Sequence, residues 1–296
     1  MIGRIASFSH TSYLLTLSMG TQTRLAQAQE QQASGLISQS YAGIARDTAA
    51  LLDLNGKVSA AQADAQTAET TAGTMEIMYS TLNNIVDLAS EIQSQLAAAL
   101  DSTTTNIANS AEQWLTDLAS MLNTTYAGRY LFAGTATDAM PVDISAYDPA
   151  SATTADTSYY QGAEASLRYT GSDGYTVSYG ATADDAAFEQ IFRALSMVID
   201  APDDASVRQA AYDLMDSAID RLGQLQQTLS TKTSALNTYM GQRSAIAEDL
   251  ATLASDLKDT DLAAATVMVT QYQTQLEASY SSISKLLSTN LLDYLR

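Results

Sequence analysis

Between Met75 and Leu96 one set of apolar residues falls at Met75, Met78, Leu82, Ile85, Ala89, Ile92 and Leu96. The steps alternate between three and four residues, so all seven share one face of a helix. Such a heptad-like seam needs a partner helix to cover it. Asp47 reads as an N-cap ahead of an alanine- and leucine-rich run. A helix from there to Leu100 would extend roughly 80 Å at ~1.5 Å per residue. Asp101-Ser102-Thr103-Thr104-Thr105 predicts a turn, and a shorter helix follows with Trp114, Leu118, Met121 and Leu122 on one face.

The second half of the chain repeats the theme. Phe188, Ile191, Phe192, Leu195 and Val198 line one helical face that stops before Pro202. Asp203-Asp204 then opens a run to Lys258 without proline, marked by Val207, Ala211, Leu214, Ile219 and Leu222. This predicts a second long helix, antiparallel to the first. After a charged interruption at Leu257-Lys258-Asp259-Thr260-Asp261, a last stripe follows: Leu262, Ala265, Val269, Tyr272, Leu276, Tyr280, Ile283, Leu287 and Leu291. The matching N-terminal helix, Tyr13 to Gln32, has a much thinner face of Leu14, Leu17, Leu25 and Ala28. It breaks at Ser34-Gly35-Leu36 and again at Tyr41-Ala42-Gly43.

Residues 136–183 change character and are rich in Thr, Ser, Ala, Asp and Tyr. Ser166–Tyr169 and Tyr175–Tyr179 are strand-like, and Gly171-Ser172-Asp173-Gly174 between them predicts a hairpin. The expected fold is mainly α: a long antiparallel, coiled-coil-like helical rod built from the N- and C-terminal parts, with a small β-rich insert. The expected division is residues 1–45 with 259–296 as a terminal coiled coil, 46–135 with 184–258 as the long-helix body, and 136–183 as the insert.

Charge removes several function classes. With 14 basic against 33 acidic residues the net charge is −19, which repels phosphate backbones and anionic membrane surfaces. Neither nucleic acid nor membrane is an expected partner. No stretch approaches the ~20 apolar residues of a membrane-crossing helix. The short apolar stretch from Tyr13 to Met19 is interrupted by Thr16 and Ser18 and reads as amphipathic, not as a cleaved signal. Catalytic chemistry is equally sparse. There is no cysteine, and the one histidine is His10. No nucleophile–base pair, multi-histidine metal set or phosphate-cradling glycine loop is recognisable. Asp184-Asp185 and Asp203-Asp204 stand where acids cap helices, a commoner role than paired catalytic carboxylates. The Asn123-Thr124-Thr125 triplet fits a glycosylation sequon, a pattern common by chance. The chain reads as a non-enzyme without cofactor, metal or catalytic residues.

The two ends pose an energetic question. A stripe as apolar as Leu262 to Leu291 cannot stay in water, yet its natural partner carries few large side chains to set against it. Ordering both segments costs more conformational entropy than so thin a face returns. The expectation is that the ends order fully when neighbouring molecules bury them; docking of both ends as an ordinary bundle is the alternative. The residues carrying this interface would be Leu14, Leu17 and Leu25 with Leu262, Val269, Leu276, Ile283, Leu287 and Leu291.

Residues 123–141, NTTYAGRYLFAGTATDAMP, resemble a segment of the flagellin-like family, in particular its flagellar hook-associated protein 3, or hook–filament junction, members. The matching run is Tyr130-Leu131-Phe132-Ala133-Gly134, with Asn123 before it and Thr135 and Pro141 beyond. Ser34-Gly35-Leu36, Tyr160-Gln161-Gly162, Asp261-Leu262-Ala263 and the tail from Gln271 to Tyr294 are similar to family positions. An acidic pair followed by proline, often present after the Ser-Gly, is absent around Arg46-Asp47-Thr48.

The resemblance implies a secreted, extracellular component of the bacterial flagellum, exported unfolded by a type III route. It implies terminal helices that pair and order on assembly, an outward-facing middle module, and a role joining hook to filament. Implied partners are copies of itself in a ring or tube, another hook-associated protein, flagellin and an export chaperone. Filament flagellin is the competing reading, and a secreted adhesin or binding protein with a ligand in the tyrosine-rich insert is a third. The Tyr130–Gly134 run fits the junction members more specifically than filament flagellin, and Tyr130-Leu131-Phe132 would pin the helical body where the chain departs for the insert, with the glycines permitting the turns.

Overall fold

The structure, a computed structural model, describes residues 2–100, 107–145, 147 and 154–294, with side chains described between residues 12 and 285. It is mainly α with small antiparallel β elements. The helices are α1 (Ile2–Ser34), α2 (Thr48–Leu100), α3 (Ile107–Leu122), α4 (Ala186–Asp200), α5 (Ala205–Lys258) and α6 (Leu262–Tyr294). A single 3-10 turn, Tyr41–Ile44, precedes α2. The strands are β1 (Thr125–Tyr126), β2 (Arg129–Tyr130), β3 (Leu167–Thr170) and β4 (Thr176–Tyr179). The chain forms two compact units, Met1–Ser59 with Ala247–Arg296, and Ala60–Ile246; α2 and α5 contribute to both. The turn expected at 101–105 lies outside the described residues.

The central unit is built on the α2 seam. Met75, Met78, Leu82, Ile85, Ala89, Ile92 and Leu96 are all fully or almost fully buried. Toward the start of α2 the same line continues as Ala72, Ala68 and Ala61. Helix α5 runs antiparallel alongside, with Gln93 Nε2 donating to Asp216 Oδ1 (3.0 Å) and Gln226 Nε2 donating to Asn83 Oδ1 (2.6 Å). The buried line of α5 is Ala211, Met215, Ala218, Leu222, Leu229, Leu236 and Tyr239. Of the five markers expected there, only Ala211 and Leu222 belong to it; Val207, Leu214 and Ile219 sit half-buried at its flanks. A helix pair selects one heptad register, and side-chain size alone does not reveal which.

Helices α3 and α4 close this core. Leu118 and Leu122 are buried, with Trp114 and Met121 packed partly against them. Helix α4 is buried almost all round, from Ala187 to Val198, and this includes Glu189 and Arg193. Those two form a buried i,i+4 ion pair at 3.0 Å, and Glu189 also accepts the Asp156 amide. Periodicity showed the apolar face of α4 and gave no hint of this pair. The acidic pairs act as caps: Asp185 accepts from Ala187 N at 3.0 Å, and Asp204 from Ser206 N at 2.8 Å. Ser206 backbone and side-chain donors hold the Asp204 carboxyl below the usual carboxylate range.

Strands β3 and β4 form the expected hairpin, in register from Leu167↔Tyr179 to Thr170↔Thr176. Its turn closes through Gly174 N to Gly171 O (3.1 Å). The rest of the 136–183 stretch, among its described residues, is turns and one isolated bridge, Val142↔Tyr160. The hairpin packs against the helices: Tyr169 is buried, and its hydroxyl donates to the Asp64 carbonyl of α2 at 3.0 Å.

Candidate assembly interface

In the terminal unit α1 and α6 lie antiparallel, their Cα atoms coming within 8 Å of one another. Gln22 Nε2 donates to the Tyr280 hydroxyl (2.5 Å), and Gln32 Nε2 to Thr266 Oγ1 (3.1 Å). On α6 the buried positions are Ala265, Val269, Leu276 and Ile283, with Tyr272 half-buried between them. On α1 they are Ser18, Thr21 and Ala28, with Leu14 and Leu25 half-buried. The α1 series steps by three and four, as does the α6 series with half-buried Ser279 between Leu276 and Ile283, so each helix offers a coiled-coil seam. The α1 seam, however, is built from small and hydroxyl-bearing residues. Thr21 satisfies its hydroxyl within its own helix, donating to the Leu17 carbonyl at 3.0 Å, so its burial costs little.

Of the interface residues expected from sequence, Leu14, Leu25, Val269, Leu276 and Ile283 line this seam. Leu17 and Leu262 stand outside it, 50% and 53% exposed. Leu17 is one residue before the position the seam uses, and that position is Ser18. Leu287 and Leu291 lie in α6, with side chains outside the described residues; the same holds for the His10 side chain in α1. Further large side chains are left in solvent: Tyr13, Leu15 and Met19 on α1, and Val267, Met268 and Tyr280 on α6. A shallow open groove along α6 is lined by Thr266, Val267, Thr270, Gln271, Thr274, Gln275 and Ala278.

The two helices of this pair break at one level. Gly35 ends α1 at φ +72°, a conformation glycine adopts without strain. Leu36 forms an antiparallel bridge to Asp259, flanked by Ile37 N to Lys258 O and Thr260 N to Gly35 O, each 2.8 Å. Asp261 then caps α6, accepting from Ala263 N and Ala264 N. The charged interruption expected at 257–261 is therefore a bridge plus an N-cap. Below it, Ile44, Leu51 and Ala254 make a small separate core with Leu54. Asp47 precedes α2 through its backbone carbonyl, which accepts Leu51 N. The Thr48 hydroxyl holds that corner, within 3.0 Å of the Tyr41 carbonyl and 3.1 Å of the Ile44 carbonyl.

The Tyr130–Gly134 run lies in the central unit. Strands β1 and β2 join through Ala127 (φ +49°) and Gly128 (φ +77°), a pair of left-handed residues suited to a two-residue hairpin turn. Tyr130 is half-buried, and Leu131, Phe132 and Ala133 are buried. Phe132 meets Phe188 of α4 edge-on, with ring centroids 6.0 Å apart. Its carbonyl accepts Ala183 N at 2.9 Å; Ala133 O accepts Ala163 N, and Thr135 N donates to Ala165 O, both at 3.0 Å. Gly134 has φ +60°, and a Cβ there would overlap the Ala163 carbonyl oxygen. The run thus ties together three separate parts of the chain. Asn123 clasps Val142, donating to its carbonyl at 2.9 Å and accepting its amide at 3.0 Å. The sequon's asparagine is therefore engaged in the fold.

Residues 210–295 match the family profile of the bacterial flagellin C-terminal helical region. The C-terminal part of this chain is flagellin-like. The matched region spans most of α5 and all but the last residue of the tail, and so includes the Asp261 cap and the α6 seam. Two solved structures share the fold. FlgL of Bacillus cereus is 16% identical with a TM-score of 0.51, covering 64% of this chain and 98% of that chain. A Vibrio parahaemolyticus protein described as flagellar hook-associated is also 16% identical, with a TM-score of 0.61, covering 73% of this chain and 100% of that one. No curated protein matches the chain by sequence. Among the described residues no helix is long and apolar enough to cross a membrane, and no group of three or more acidic or histidine side chains could hold a metal.

Proposed function

We propose that this chain is a structural component of the bacterial flagellum, an adaptor that joins hook to filament through terminal helices completing their packing against neighbouring subunits. One observation carries the proposal. The α1–α6 pair buries Ser18, Thr21, Ala28 and Ala265 while leaving Tyr13, Leu17, Met19, Leu262, Val267, Met268 and Tyr280 in solvent. Val269, Leu276 and Ile283 are buried in the seam, but the large side chains left outside it form apolar surface for further contacts. The flagellin-like region covers half of that pair, and both structural neighbours carry flagellar names.

In this reading residues 1–45 and 259–296 form the assembly region, and 136–183 form an outward-facing module. The partners are copies of the chain in a ring or tube, with another hook-associated protein and flagellin at its two ends and a chaperone during export. The location is the extracellular flagellum. The test is a Val267→Asp/Met268→Asp double variant, at two exposed α6 positions outside the α1–α6 seam, expressed in the source bacterium lacking the native chain. The expected result is exported, folded protein that fails to incorporate, with hooks intact and flagellin shed into the medium. Normal filament attachment by that variant overturns the proposal.

The flagellin match favours one second reading, a bulk filament subunit. Purified chain that grows long filaments on its own would support it; an adaptor stops at rings or short assemblies.

A further inference from the structure

The β3–β4 hairpin lies where the α2 seam changes from large residues, Met75 onward, to alanine at Ala72, Ala68 and Ala61. At the hairpin base, Gly180 faces the Met78 methyl, and at its tip it meets Asp64. Asp64 is 8% exposed and is held from two elements. From the hairpin, Ser172 donates its amide to Oδ1 (2.9 Å) and its hydroxyl to Oδ2 (2.6 Å). From α5, the Arg243 guanidinium lies 2.9 Å from Oδ2, and the Tyr239 hydroxyl points to the same oxygen at 3.4 Å while donating to Asp173 at 2.9 Å. Tyr175 stacks on Tyr239 with centroids 4.3 Å apart, Tyr169 meets it edge-on, and the Arg243 guanidinium carbon lies 5.9 Å from its ring centroid. Gly171 is needed for this approach, since a Cβ there would overlap the Tyr239 hydroxyl. The central unit ends at Ala60 and Ile246, within a helical turn or so of Asp64 and Arg243.

Alanine contributes little apolar area, so a two-helix seam made of it is weak. The hairpin tyrosines supply the missing area at that end, and the tip joins both helices through one carboxylate.

We propose that the β3–β4 hairpin is a strap, with Asp64 as its clasp, that fixes where the central unit ends. With the clasp open, α2 and α5 separate from residues 60 and 246 inward to about Met75 and Leu236, while the α3–α4 core stays folded. Burial by itself would push the Asp64 carboxyl up; the Ser172 hydrogen bonds and the Arg243 charge outweigh it and hold the group below the usual carboxylate range. The groups facing Asp64 are Tyr169, Ser172 and Asp173 of the hairpin and Tyr239 and Arg243 of α5. Because its folded-state pKa is lowered, the clasp is closed above pH ~4 and opens as pH falls through the folded-state value.

Hydrogen–deuterium exchange of the full chain tests this at peptide resolution. In Asp64→Ala, peptides over 60–72, 167–179 and 236–246 should exchange at least about tenfold faster at unchanged rates for 107–122 and 186–198. Gly171→Ala opens the tip without touching a charge and should give the same pattern. Wild type carried downward in pH below the usual carboxylate range, corrected for intrinsic rates, should come to repeat it, and Asp64→Asn should show little further acid effect there. Unchanged exchange at the tip in both variants overturns the proposal, as does an equal rise in α3 and α4.

Discussion

The α2–α5 and α1–α6 pairs use the same three–four spacing and bury different material. The first fills its seam with Met75, Met78, Leu82, Ile85, Ile92 and Leu96, then adds α3, α4 and the hairpin as cover. The second buries Ser18, Thr21 and Ala28 on α1 and Ala265, Val269, Leu276 and Ile283 on α6, with Tyr13, Leu17, Met19 and Met268 left outside. Small seam residues let two backbones approach closely and hide little apolar area, whereas large ones hide much and need surrounding elements to fill the gaps between them. The lesson is that heptad periodicity specifies pairing but not independence. A pair can be geometrically complete and still hold surface in reserve for another molecule.

This contrast can be broken or sharpened by substitution. The largest effect should come from Phe132→Ala, because Phe132 is fully buried against Phe188; a loss of about 3–5 kcal/mol in urea unfolding is expected for the central unit. A matched pair comes next. Leu82→Ala should remove about 2–5 kcal/mol from the main unfolding transition, whereas Leu276→Ala, followed by the same urea melt, should leave that transition nearly unmoved. Equal losses would mean that the two seams melt as one cooperative body, and the contrast would fail.

Gly134→Ala should cost about 1–3 kcal/mol, from a left-handed backbone and an overlap with the Ala163 carbonyl, and should loosen 160–165 in exchange experiments. The smallest effect belongs to Thr21→Val. Its hydroxyl is satisfied internally, so exchanging it for a methyl should stabilise the terminal pair by under about 1 kcal/mol. Local exchange in 14–28 would report it; a clear destabilisation would assign the hydroxyl a role across the seam.

Much of this architecture could be read from residue order. The α2 seam was visible because seven apolar residues from Met75 to Leu96 keep an unbroken three–four spacing, with Ile77, Val86 and Leu88 off that line. The hairpin was visible because β-forming residues bracket Gly171–Gly174, and the acidic caps because Asp185 and Asp204 directly precede helical runs. On α5 and α1 the same reasoning chose Leu214, Ile219 and Leu17, each one residue away from Met215, Ala218 and Ser18, the positions that are buried. Where the seam position is small or polar, as at Ala218 and Ser18, size marks the flank; at Met215 the neighbouring Leu214 is equally large and size does not decide.

The amino-acid order by itself determined the helices, their breaks and the strongest face, because periodicity, glycine and capping acids act within a few residues of one another. Tertiary structure decided which register each helix presents, that Glu189 and Arg193 are buried together, and that Asp64 meets Ser172, Tyr239 and Arg243 from two distant segments. Those outcomes depend on distances between residues up to 258 positions apart in the chain (Gln22 to Tyr280), and local pattern carries no record of such distances.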